Sequence, residues 1–84
     1  MNNWRIEQDG KVYLKVIEFP VPEESGVGGE SMWVRKVSGT DDKGTGVLDN
    51  NPAFCTAVSY GDTIQYAGGT KTTKPKYIGK VEVV

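Results

Sequence analysis

The sequence has no histidine and only one cysteine in 84 residues. The first absence removes the commonest general base, the commonest metal ligand and any Ser-His or Cys-His nucleophilic pair. The second removes an internal disulfide, so the class of small secreted domains stapled by cystines is excluded. Cys55, set between Phe54 and Thr56, reads as a buried, unreactive thiol that fills core volume. No run of eighteen apolar residues occurs, and MNNWRIEQDG lacks a basic segment followed by an apolar one. Neither a membrane span nor a signal peptide is expected, and cytoplasmic is the default location.

Apolar residues are also scarce, at 37%, while 11 glycines and 4 prolines add loop content. The length supports one small β domain over residues 1–84, near the lower size limit for unaided folding. Trp4, Trp33, Phe19, Phe54 and the four tyrosines would supply much of its core. The formal charge is −1, unevenly spread: residues 1–30 are acidic, whereas residues 67–84 carry four lysines against one glutamate. That imbalance is too mild to announce a polyanion partner.

What is present is strand pattern. Glycine or proline interrupts nearly every helix-length window, and β-branched and aromatic residues dominate the apolar set. NWRIE places Trp4 and Ile6 on one face, and Asp9-Gly10 supplies a two-residue hairpin turn. KVYLKVIEF continues with Val12, Leu14 and Val16 inward and Lys11, Tyr13 and Lys15 outward. The phase breaks at Ile17 and Phe19, which predicts a bulge or bend. In SMWVRKVSG the pairs Met32/Val34 and Trp33/Val37 compete for the inner face. TGVLD forms a short fourth strand, DTIQY a fifth with Ile64 and Tyr66 inward, and YIGKVEVV a sixth with Tyr77, Val81 and Val83 on one face. Five to six short strands with close turns specify an all-β fold, a small antiparallel barrel or strongly bent sheet. Flexible loops are expected near 20–31 and 67–76.

Candidate chemistry is sparse. Glu23 and Glu24 are paired carboxylates in a loop that would not hold them at catalytic separation. Asp41-Asp42 and Asp49-Asn50 lack the twelve-residue calcium pattern with its closing glutamate. GVGG at 26–29 has no strand-to-helix context and no phosphate-loop lysine. No catalytic residue, metal site or cofactor is expected, and the chain reads as a non-enzyme. Between Gly46 and Tyr66 the residues point to a structural corner. Asp49 and Asn50 can bond forward to backbone N–H groups, Pro52 ends the fourth strand, and Gly61-Asp62 turns into the fifth. Phe54, Ala57 and Val58 would cross beneath the sheet as a plug.

The stretch from Gly29 to Tyr66 also holds Glu30, an aromatic-Val step at Trp33-Val34, and the turn Gly46-x-Leu48-Asp49-Asn50-x-Pro52, followed by Gly61-Asp62. This pattern resembles the YegJ-like family of small bacterial domains, over a little under half the chain. The resemblance implies no activity. Relatives of this general shape among toxin-immunity genes imply protein binding.

The reading that follows is a non-catalytic accessory module of bacterial or phage origin that docks to another protein, as an inhibitor or immunity-type protein would. Its candidate binding residues are Glu23, Glu24 and Glu30 in the acidic loop and Lys71, Lys74 and Lys76 in the second loop. An unpaired edge strand would allow β-augmentation or self-association. The alternative is a small β-barrel that binds nucleic acid through the Lys-rich 71–80 segment with Tyr77.

Overall fold

In the computed structural model, which describes residues 3–81, the alternating apolar residues settle into six strands. These are β1 (Arg5–Gln8), β2 (Lys11–Phe19), β3 (Glu30–Gly39), β4 (Gly44–Leu48), β5 (Thr63–Ala67) and β6 (Lys76–Lys80). A single 3-10 turn, Glu23–Ser25, lies between β2 and β3. Each strand pairs antiparallel with the next. β2 also meets β6 at Ile17↔Lys76, where the Ile17 N–H donates to the Pro75 carbonyl at 3.0 Å. Strands β2 to β6 thus close into a five-stranded barrel, and β1 is an extra strand on the side of β2. The closing pair is parallel, so the barrel is mixed where pure antiparallel pairing was expected. The reason is parity: five up-and-down strands leave the first and last running the same way.

The β1–β2 hairpin turns on Asp9 and Gly10 at φ 53° and 75°, the paired positive angles of a type I′ turn. β2 then keeps Leu14 and Val16 buried, with Val12 packed against the core from the rim. The phase break falls where the sequence places it. Pairing with β3 shifts between Val16 and Phe19, Glu18 takes φ 64°, and Phe19 returns to full burial.

Across the barrel, Leu14, Val34 and Leu48 form one buried cross-strand row, which settles β3 in favour of Met32 and Val34. Trp33 is half-buried on the outer face and Val37 is exposed. Ile64 and Tyr66 point inward as expected, and the Tyr66 hydroxyl donates to the Thr40 carbonyl at 2.6 Å. Gly46 is needed for close approach. A Cβ there would strike the Val34 side chain and come within 2.6 Å of the Arg35 carbonyl oxygen.

Three expectations are corrected. Trp4 is buried, but Ile6 is 44% exposed. Trp4 sits in the turn before β1, free of the strand's alternation, and its indole enters the core. The plug under the barrel is Cys55 with Val58, while Phe54 and Ala57 face outward. Glu30 and Ser31 belong to β3, so the first loop ends at residue 29. Val83 and Glu82 lie outside the described residues, and Tyr77 packs against the core with its ring 4.7 Å from that of Phe19.

Candidate functional site

Because side chains alternate along a strand, the row next to Leu14–Val34–Leu48 faces outward. It contains Ile6 opposite Tyr13, and Tyr13 opposite Arg35. One step along, Lys15 lies opposite Trp33, and the Asp49 N–H extends the pairing by donating to the Trp33 carbonyl at 2.9 Å. Ile6, Gln8, Tyr13, Trp33 and Asp49 line an open groove of about 240 Å³ on this face. The Lys15 ammonium stands 5.1 Å from the centre of the Trp33 ring, a cation–π distance. Lys11, Lys15 and Arg35 on the face outnumber Asp49 as charges, so the groove is aromatic, open and mildly basic.

The 49–62 segment that borders the groove is held by three polar devices. The Asn50 carboxamide accepts the Trp33 N–H at 2.8 Å, so it bonds back to β3 where a forward bond was expected. The Glu30 carboxylate accepts the N–H groups of Ala53, Phe54 and Cys55 at 2.6, 3.0 and 2.8 Å. Burial pushes the Glu30 carboxyl up, but these three donors outweigh it and hold it below its ordinary value. The Asp62 carboxylate accepts the Ser59 N–H at 2.8 Å and meets Lys80 at 3.3 Å; the amide bond is the larger cause of its lowered pKa. Gly61 takes φ 88°, and its N–H and the Asp62 carbonyl both bond to Leu48, which closes the loop at its neck. Pro52 is half-buried within it, and β4 has already ended at Leu48, so Pro52 does not end that strand as expected.

The opposite side of β1 carries an ion-pair network. Arg5 Nε and Lys36 Nζ donate to Asp41 at 2.6 and 2.8 Å, and Arg5 Nη1 reaches Glu7 at 3.3 Å. Burial raises the Asp41 carboxyl, yet the bonds from Lys36 and Arg5 prevail and lower it. This network ties the extra strand to the β3–β4 hairpin.

The residues chosen from sequence as binding candidates are scattered. Glu23 and Glu24 are exposed on the 3-10 turn. Glu30 is committed to its three backbone donors. Lys71 is exposed and Lys74 half-buried in the second loop, while Lys76 opens β6 and lies 3.8 Å from Glu18. Among the described residues no hydrogen bond or ion pair joins Glu23 or Glu24 to these lysines. The 71–80 segment has its lysines, but Tyr77 turns its ring inward onto Phe19.

Sequence reasoning placed Tyr13 outward yet did not join it to Trp33 and Asp49. The available signal was an aromatic at an outward position between two lysines. Among the described residues no group of three His, Cys, Asp or Glu side chains could hold a metal ion, and no helix is long and apolar enough to cross a membrane.

Residues 2–71 match the family described as an uncharacterized protein conserved in bacteria (DUF2314), and the chain belongs to it. No curated protein and no solved structure matches.

Proposed function

We propose that this member of the DUF2314 family is a non-catalytic module that docks to another protein through the outer face of β1, β2 and β3. The observation that carries this reading is the groove where Tyr13 and Trp33, with Arg35 beside them, lie open on a face that barrel geometry leaves to solvent. Trp, Tyr and Arg are the residues that most often dominate binding energy at interfaces, because they bury large rigid areas with a polar handle. The cations Lys11, Lys15 and Arg35 favour a partner that is acidic around an apolar anchor. The YegJ-like resemblance and an inhibitor or immunity-type role, in a bacterium or a phage, belong to the same proposal. Both act by occupancy and need no catalytic group.

The test is affinity capture from bacterial extract with the wild type and Trp33→Ala. A stoichiometric protein retained by the first and lost by the second supports the reading. Retention of single-stranded nucleic acid that falls steeply with salt would support the nucleic-acid alternative. Turnover of a substrate would overturn both.

A further inference from the structure

Among the described residues β1 pairs only with β2, so one of its edges carries backbone groups with no strand beside them. Which groups these are follows from the register. The Lys15 N–H donates to the Trp4 carbonyl at 2.8 Å, and Arg5 lies opposite Leu14. Antiparallel pairs alternate between bonded and non-bonded. Ile6 and Gln8 therefore spend their backbone groups on β2, and Arg5 and Glu7 aim theirs outward.

Natural edges are usually blunted against pairing by placed charges. Here the charges are self-complementary. Read against its own reverse, Arg5-Ile6-Glu7 sets Arg opposite Glu, Ile opposite Ile and Glu opposite Arg.

We propose that β1 pairs antiparallel with β1 of a second copy of this chain about a two-fold axis at Ile6. Arg5 and the partner's Glu7 form one bonded pair, and Glu7 and the partner's Arg5 form the other, giving four backbone hydrogen bonds. The non-bonded pair between them is Ile6 and the partner's Ile6, where side chains approach most closely. That contact covers a residue that is 44% exposed in the single chain. It also makes one apolar strip of the two grooves, since Ile6 borders Tyr13 in each. Arg5 keeps its Nε bond to Asp41 and turns Nη1 from its own Glu7, 3.3 Å away, to the partner's Glu7. A parallel arrangement would lose the charge match, and a two-fold contact closes at two copies.

This inference goes beyond the docking reading; the two share Ile6, but the Glu7 side chain, which the test changes, lies on the face opposite the groove. Sedimentation velocity on the full chain should show a monomer–dimer equilibrium. Glu7→Lys places like charges at both pairs and should weaken dimerisation by about tenfold, while the dilute monomer still folds, having lost only the exposed Arg5–Glu7 pair. Mixing Glu7→Lys with Arg5→Glu should restore pairing as a heterodimer. Should Arg5→Glu fail to fold, amide exchange carries the test: the Arg5 and Glu7 amides should slow as wild-type concentration rises. A wild type that stays monomeric to millimolar concentration overturns the proposal. So does a dimer indifferent to Glu7→Lys, or one whose Arg5 and Glu7 amides exchange as fast as in dilute solution. None of these results bears on capture lost through Trp33→Ala.

Discussion

Glu30 shows how one carboxylate can organise a loop that has no regular structure. Three consecutive amides, Ala53 to Cys55, converge on it and bring Cys55 beneath the barrel. Its folded pKa lies below the ordinary 4.5, so the unfolded chain takes up the proton first as pH falls. The stabilisation is complete above that ordinary value and is lost as pH falls through the folded one. Glu30→Gln keeps the shape but not the charge. It should cost about 1–2 kcal/mol at neutral pH and flatten the acid side of the stability profile, as read from urea melts. The slope that remains belongs to Asp41 and Asp62, both also lowered. Tyr66 gives the mirror case. Burial, with the charges of Asp41 and Asp42, pushes its hydroxyl up to about 12 from the ordinary 10.0. The unfolded chain loses that proton first, so stability holds below 10.0 and falls as pH rises toward about 12. Tyr66→Phe should remove most of this alkaline loss, leaving the contribution of Tyr77, which is also raised. Loss of the bond to Thr40 should cost about 1 kcal/mol at neutral pH.

At the scale of elements, β2 does the most, because it must turn from β1 to β6 along one edge. It does so at Glu18, whose φ of 64° is costly for a residue with a Cβ. Glu18→Gly should raise the unfolding free energy by about 1 kcal/mol without changing the register; a loss of stability would mean that the bulge is not strained. This bend was legible in the sequence, since Ile17 and Phe19 break an alternation that Val12, Leu14 and Val16 had set. The assignments of β2 and β5 were legible for the same reason: one face is core and the other is not. Ile6 was misplaced because period two was extended to Trp4, which is not in the strand. Phe54 was misplaced because size was read as burial, whereas the Glu30 clamp fixes which side chains of 53–58 turn inward. The groove was not legible, since residues 6, 13, 33 and 49 meet only through register. The parallel closure rests on a single residue pair, Ile17 and Lys76, and leaves no periodic trace.

The whole molecule has a radius of gyration of 12.2 Å, close to the value of about 12 Å for a compact chain of this length. Within the barrel every strand has two neighbours, so none can leave without opening the core to water. β1 has one neighbour among the described residues, and in isolation it would fray first. Two anchors oppose this: the Trp4 indole in the core and the Arg5–Asp41 pair at 2.6 Å. Peeling β1 away would pull Trp4 out and leave a cavity, a penalty of about 3–5 kcal/mol if the effect matches removal of a buried aromatic. That is a large share of the stability a domain this small can have. Unfolding should therefore be a single cooperative step, with a urea dependence of about 1 kcal/mol per molar. The chain has two tryptophans, so Trp33→Phe leaves emission that reports Trp4 alone. In that variant the fluorescence transition should coincide with loss of the far-ultraviolet β signal. A Trp4 shift that precedes the loss of β signal would show β1 to be a separately stable appendage. The barrel would then fold from β2 onward, with Trp4 a lid on the core rather than a part of it.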